Sequence, residues 1–227
     1  MKLTVPMSKS QLYWGWTFYL CQLLALPVLL TLVNRILGDP LTTTGLNIAL
    51  YLVSFVLTLI VFHSYLFASL RKALKTPVQC LRSAVLGFGC YYLASLLIGL
   101  FIQTVYPEFS NINDRTILQM AEENAWVTVC VVLLVPITEE ILYRGLIFKS
   151  LYHKNPVLAY CVSTLAFGLI HVIGYIGTAE PLLLLMCFLQ YLPAGLALAW
   201  AFVRSDTIWA PILMHIAINQ IGLSAMR

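Results

Sequence analysis

The stretch AWVTVCVVLLVPITEEILYRGLIFKS, residues 125–150, decides the fold because it is apolar and long enough to cross a bilayer as a helix. Two adjacent carboxylates and an arginine, Glu139, Glu140 and Arg144, nevertheless lie in its middle. A charged side chain inside hydrocarbon costs on the order of 2.5–3.5 kcal/mol, so those that persist usually face a cavity and have a function. The stretch therefore predicts a membrane helix that carries a functional site.

The rest of the chain has the same apolar character. Of its 227 residues, 61% are hydrophobic and 10% are charged, whereas a soluble domain carries about a quarter charged residues. We predict an all-α fold, a polytopic transmembrane helix bundle of about seven spans, with residues 1–227 as a single integral membrane domain. The spans are predicted at 12–37, 46–70, 83–106, 125–150, 157–176, 181–203 and 207–224.

Charge along the chain indicates topology. The predicted linkers 71–82 and 149–156 are basic, and the predicted linker 107–124 is acidic. By the positive-inside rule the basic linkers are cytoplasmic, so the N-terminus is expected in the cytoplasm. The chain has no basic run or aromatic-basic repeat, so we expect the lipid bilayer as a partner and no nucleic acid. Compact size without an organelle address favours a bacterial inner membrane.

Residue spacing places the charged groups of the fourth span on different faces. Glu140 and Arg144 are four residues apart and lie on one helix face. Glu139 is rotated by about 100° from Glu140, so it can point into a cavity while Arg144 neutralises its neighbour. One carboxylate is therefore free to act as a base.

Two further polar pairs, again with a spacing of four residues, lie in later spans. Phe167 and His171 belong to the fifth span, and His215 and Asn219 belong to the seventh. Two imidazoles and one carboxylate from three helices suit zinc, which commonly takes three protein ligands at catalytic sites. Because the chain lacks H-E-x-x-H, such a site must be assembled across helices from Glu139, His171 and His215.

The expected depths of these residues do not agree. At about 1.5 Å per residue, Glu139 and His215 fall in the cytoplasmic half of the bilayer, whereas His171 falls nearer the outer half. Straight helices would not bring the three together. Tilt, a kink at Pro136 or a later start for the fifth span would do so.

The three pairs together resemble the motifs of the CPBP or Abi intramembrane proteases, which are relatives of the type II CAAX prenyl endopeptidases. The resemblance covers about residues 136–220 and implies a catalytic core of 125–224, built from the last four spans. It implies a catalytic set with Phe167 packed beside it and with zinc as the expected cofactor. That set is Glu139, Glu140, Arg144, His171, His215 and Asn219.

The expected function is that of an intramembrane endopeptidase acting on a membrane-associated protein or peptide. Glu139, with His171, would deprotonate a water that attacks the substrate carbonyl. His215 and Asn219 would stabilise the oxyanion, or His215 would join His171 and Glu139 as zinc ligands. Both versions stay open.

Two other functional hypotheses compete with that of a protease. One is an inactive relative that serves as a membrane scaffold or immunity factor. The other is a proton-coupled transporter, because Asp, Glu and His chains also build proton relays. Transporters favour internal repeats and broken helices in matching halves, and the sequence shows neither.

Overall fold

The computed structural model describes residues 3–227, which form eight helices and no strand. The predicted all-α fold is thus confirmed. A short 3₁₀ turn, Ile173–Tyr175, follows the sixth helix. The helices are α1 (Lys9–Ile36), α2 (Thr43–Lys75), α3 (Pro77–Val105), α4 (Ile112–Glu123), α5 (Ala125–Tyr152), α6 (Pro156–Ile170), α7 (Pro181–Ser205) and α8 (Trp209–Met226).

Five of these helices, α1, α2, α3, α5 and α7, are long and apolar enough to cross a membrane. The protein is therefore an integral membrane protein with a polytopic helix bundle. Of the about seven spans expected, five meet these criteria. Helix α6 has only 15 residues, and the polar residues of α8 lower its hydropathy.

Two segments predicted as linkers are largely helical. Residues 107–124 contain α4, whose first turn is capped by the Asn111 side chain. In residues 71–82, α2 continues to Lys75 and α3 begins at Pro77. Proline cannot continue α2 because it lacks an N–H group, but its fixed φ suits the first turn of a new helix.

Helix α5 is the central element, because half of its most apolar stretch is buried, against 6% for α1. Two π-helical segments, Cys130–Leu134 and Ile141–Phe148, interrupt it. Such segments are rare and are frequent at functional sites. Between them lies the α-helical stretch Val135–Glu140, which carries both glutamates of the first motif.

The core packs α5 against α2, α7 and α8. A first cluster of fully or nearly fully buried side chains comprises Phe62, Ile141, Leu146, Phe148, Phe202 and Ile212. A second cluster includes Phe167, Leu198 and Met214. Helices α3 and α7 approach closely at Gly87, where a Cβ atom would lie 3.3 Å from that of Ala201. This packing fixes the helices that carry the candidate site.

Candidate active site

The three motif helices bring their polar residues to a common depth. His171 caps the C-terminus of α6, about 22 Å from Pro156 at 1.5 Å per residue. Glu139 lies about 20 Å from Tyr152, at the end of α5 that adjoins Pro156. The expected separation of His171 from Glu139 is therefore wrong, because α5 extends to Tyr152 and α6 ends at Ile170 instead of 176.

His215 reaches the same depth because α8 starts inside the bundle. The Ile208 backbone N–H donates to Ser69 Oγ at 2.9 Å, and Ser69 is fully buried. Ser69 lies six residues before the end of α2 at Lys75, which is about 9 Å along the helix. His215 lies about as far again beyond Trp209, the first residue of α8.

Glu140 is the centre of a fully buried hydrogen-bond cluster. Its Oε1 accepts from Arg144 Nη1 at 3.1 Å and from His215 Nδ1 at 2.8 Å. Glu140 and Arg144 are both 0% exposed. Arg144 Nη2 also donates to the Gly195 carbonyl at 3.2 Å. Glu140 therefore neutralises Arg144 and orients His215, and it has no oxygen on the surface of the cavity to act as a base.

This hydrogen bond fixes the tautomer of His215. A carboxylate paired with arginine can only accept, so His215 Nδ1 must carry the proton. The other ring nitrogen, Nε2, lies 3.8 Å from Glu139 Oε2. That distance is too long for a direct hydrogen bond. Glu139 Oε2 and His215 Nε2 are therefore both free hydrogen-bond acceptors, and they face the same small space.

In both glutamates Oε2 is buried and has no hydrogen-bond partner within residues 3–227, but of the two only Glu139 lines a cavity. Its side chain lines a cavity of about 580 Å³, together with His171, His215 and Asn219. Buried polar atoms are nearly always paired with protein or ordered water. The unpaired oxygen therefore indicates a place where a water can be held and polarised.

Phe167 packs among the polar groups. Its ring centroid lies 4.8 Å from that of His171 and 5.6 Å from that of His215. The Arg144 guanidinium lies over the same ring, 4.4 Å from its centroid. A cation over an aromatic face is attracted by the ring quadrupole. Phe167 thus contacts both imidazoles and the arginine and helps to fix their relative positions.

His171 is held by its own helix and by Tyr191 of α7. Its Nδ1 donates to the Phe167 carbonyl at 2.7 Å, which leaves Nε2 as an acceptor. The ring stacks on Tyr191 with centroids 4.1 Å apart. Tyr191 in turn donates its hydroxyl to Asp114 Oδ1 at 2.8 Å and accepts from Asn113 Nδ2 at 3.1 Å. Burial raises the pKa of the Asp114 carboxyl, and the hydrogen bond from Tyr191 partly opposes this.

Sequence reasoning missed Tyr191 and Asp114. Asp114 lies in the segment interpreted as an acidic outer linker, and Tyr191 was one aromatic residue among many in an apolar span. The available signal was the pair Gln190-Tyr191, the polar positions in that span. Gln190 accepts from Asn111 Nδ2 at 2.8 Å, so α4 is attached to α7 through both residues of the pair.

Asn219 has a structural partner that the motif did not predict. In the first π segment the Val135 N–H donates to the Cys130 carbonyl, five residues back. The next residue, Pro136, has no N–H with which to bond the Val131 carbonyl. Asn219 Nδ2 donates to that carbonyl at 2.9 Å instead. One of the two amide hydrogens therefore stabilises α5, and the second is left for the cavity.

The zinc site predicted from Glu139, His171 and His215 stays a prediction. Within residues 3–227, no three His, Cys, Asp or Glu side chains are positioned to hold a metal ion. The His215 ring is oriented by Glu140, and the His171 ring is stacked on Tyr191. Glu139, His171 and His215 nevertheless line one cavity.

Comparison with known proteins agrees with the site. Residues 121–221, which contain all three motifs, match the model of the family described as type II CAAX prenyl endopeptidase Rce1-like. The family resemblance predicted from the motifs is confirmed for this segment. The matched segment is slightly less than half of the 227 residues and includes α5 to α7 and most of α8.

Two curated bacterial proteins are similar to part of the chain. One, named "Putative membrane peptidase YdiL", from Bacillus subtilis, is 31% identical over 47% of this chain and 40% of its own length. The other, named "UPF0177 protein YxdF", from Lactococcus lactis, is 26% identical over 42% of this chain and 47% of its own length. The chain thus matches less than half the length of either relative. No solved structure gives a significant match.

Proposed function

We propose that the protein is an intramembrane endopeptidase that hydrolyses a peptide bond in a membrane-associated protein or peptide. The observation that carries the proposal is the contrast between the two glutamates. Glu140 accepts from Arg144 and His215 through Oε1 and lies outside the cavity, whereas Glu139 lines the cavity and its unpaired Oε2 lies 3.8 Å from His215 Nε2. The motif match and the name of the Bacillus subtilis relative support the same reaction class.

In the proposed mechanism, a water donates one hydrogen to Glu139 Oε2 and the other to the Nε2 acceptor of His171 or of His215. Glu139 takes one proton from the water while the water oxygen attacks the substrate carbonyl. Glu139 then gives that proton to the leaving amine. General-base catalysis of this kind contributes about 10²–10⁴-fold. The second amide hydrogen of Asn219 is available to the oxyanion, which is a role that favours the transition state.

The function is tested with purified protein reconstituted in lipid vesicles and a panel of labelled membrane peptides in H₂¹⁸O. We expect cleavage at one bond, with a single ¹⁸O atom in the new carboxyl terminus as seen by mass spectrometry. A folded protein that cleaves no peptide in the panel would favour the inactive relative. Proton uptake by the vesicles without cleavage would favour the transporter.

Zinc at Glu139, His171 and His215 stays a prediction, and the arrangement of donors makes the metal-free version the one proposed here. We expect less than one zinc per two protein molecules by elemental analysis, and cleavage that survives dialysis against a chelator. The control is protein reloaded with zinc and assayed in parallel. Stoichiometric zinc that is lost together with cleavage would replace this mechanism by zinc-activated water.

The proposed location is the cytoplasmic membrane of a bacterium, with the N-terminus in the cytoplasm. The N-terminal segment lies at the basic end of the bundle, because Thr4 Oγ1 accepts from Lys72 Nζ at 2.8 Å. Basic ends are cytoplasmic by the positive-inside rule. An alkaline phosphatase fused to the C-terminus, which is active only outside the cytoplasm, checks this orientation.

Tyr191 is predicted to support catalysis through its ring. Tyr191→Phe keeps the stack on His171 but loses the hydroxyl bond to Asp114, whereas Tyr191→Ala loses both. Because small misplacements of a reacting group cost up to about 10²-fold, we expect Tyr191→Ala to lower kcat and Tyr191→Phe to keep most of it. Equal losses in the two variants would assign the effect to the hydroxyl instead.

A further inference from the structure

A second cleft lies at the basic end of the bundle and shares no lining residue with the catalytic cavity. It encloses about 610 Å³ between the end of α2, the start of α3 and the end of α7. Each of these helices contributes one cation to its lining, Lys75, Arg82 and Arg204 respectively. No acidic side chain of residues 3–227 lines it. The cleft is therefore strongly positive.

The charges of this cleft are not compensated inside the protein. Among residues 3–227, none of Lys75, Arg82 and Arg204 forms an ion pair with a carboxylate. The neighbouring Lys72 does form one, with Asp206 Oδ2 at 2.5 Å. Lys72 is thus neutralised within the protein, whereas the three cations that line the cleft are not. Three cations held together repel one another unless an anion joins them.

The cleft is held by packing and hydrogen bonds between its walls. Gln79 Nε2 donates to the Arg204 carbonyl at 2.8 Å, which joins the first turn of α3 to the last turn of α7. Ser83, which is buried, donates its hydroxyl to the Gln79 carbonyl at 2.7 Å. The close approach of α3 and α7 at Gly87 lies one turn deeper. The three cations are therefore carried by helix ends that cannot separate easily.

The surroundings of the cleft are apolar and exposed. Val78 is 78% exposed, and Leu81 and Leu86 are also exposed along the same face of α3. Because α2 and α3 are membrane-crossing helices that meet at Thr76, the cleft lies where the hydrocarbon region ends. Apolar side chains beside a cationic cleft at this depth match a ligand with acyl chains and an anionic headgroup.

We propose that the cleft of Lys75, Arg82 and Arg204 binds the phosphate-bearing headgroup of an anionic glycerophospholipid, whose acyl chains lie along α3. The phosphate oxygens accept from the two guanidinium groups and from the lysine ammonium. The site is independent of the catalytic cavity and does not require that the protein be a peptidase. A lipid held here would fasten α2, α3 and α7 at their common end.

The test is titration of the detergent-solubilised protein with phosphatidylglycerol, followed by native mass spectrometry. Phosphatidylcholine, which is zwitterionic, is titrated in parallel. We expect phosphatidylglycerol to bind more tightly than phosphatidylcholine to the unmodified protein. The triple variant Lys75→Gln/Arg82→Gln/Arg204→Gln should bind phosphatidylglycerol about 100-fold more weakly, since each lost surface cation weakens binding by about fivefold.

A matched triple variant, Lys9→Gln/Arg35→Gln/Lys154→Gln, removes the same charge from positions outside the cleft and should bind like the unmodified protein. An equal loss of binding in both triple variants would overturn the proposal in favour of unspecific attraction. Competition with inorganic phosphate is the second control experiment. If millimolar phosphate displaced the lipid completely, the cleft would be a site for a soluble anion and not for a lipid.

Discussion

Glu139→Gln is expected to lower kcat for peptide cleavage by about 10²–10⁴-fold, the usual contribution of a general base. The glutamine side chain has nearly the same shape as glutamate but cannot take a proton from water at neutral pH. The substitution should not destabilise the fold, because Glu139 Oε2 makes no hydrogen bond within the described residues. The measurement is the rate of cleavage of the best peptide in vesicles, with thermal unfolding followed on the same samples.

The matched control is Glu122→Gln, the same chemical change on an exposed carboxylate of α4 that does not line the cavity. It should leave kcat unchanged. If Glu139→Gln cleaved at a rate close to that of the unmodified protein, Glu139 would not be the base, and the proposed mechanism would fail. A large fall in unfolding temperature would instead mean that Glu139 stabilises the bundle.

The opposite environments of the two glutamates could be predicted from the sequence. Adjacent helical residues differ by about 100°, so a partner four residues after Glu140 necessarily leaves Glu139 on another face. The structure places Arg144 on Glu140 and places Glu139 on the cavity. Local geometry was sufficient here because both relations lie within one helix.

Relations between helices were much less predictable. The stack of Tyr191 on His171 and the bond from Asn219 to the Val131 carbonyl depend on how four helices pack. Nothing in the spacing of those residues encodes that contact. Helix α4 was interpreted as a linker because its acidic residues suited the outer side, although an Asn at its start is also a usual helix cap.

The zinc site likewise depends partly on what the sequence predicts and partly on contacts between helices. The sequence offered three possible zinc ligands on three helices, and the structure brings all three residues to one cavity. Ligation also depends on which ring nitrogen faces inward and on what the other one binds. Glu140 and Phe167 decide this for the two histidines. The contact of His215 with Glu140 joins two helices, whereas the bond of His171 to Phe167 lies within one helix. The orientation of His215 is therefore a tertiary property, and the sequence left the metal question open.

Arg144→Met should cause the largest loss of stability of any substitution at the site. Arg144 and Glu140 are both 0% exposed, and removal of one partner of a buried ion pair costs about 3–5 kcal/mol because the other charge stays buried and unpaired. Methionine fills a similar volume without a charge. The measurement is the free energy of unfolding from a titration with denaturing detergent.

The double variant Glu140→Gln/Arg144→Met separates the charge from the packing. Glutamine at position 140 is neutral, and its Oε1 can still accept from His215 Nδ1, so the orientation of His215 survives. The bond from Arg144 to the Gly195 carbonyl is lost in both variants and cancels in their comparison. We therefore expect the double variant to be more stable than Arg144→Met alone.

If the double variant were no more stable than Arg144→Met, the uncompensated charge of Glu140 would not be the cause of the loss, and the packing of Arg144 on Phe167 would explain it better. Cleavage by the double variant tests whether Glu140 and Arg144 take part in the chemistry. Because Glu139 and the His215 tautomer are retained, measurable cleavage would show that Glu140 and Arg144 support the site without taking part in proton transfer. Complete loss from a well-folded double variant would instead assign Glu140 a direct part in the chemistry.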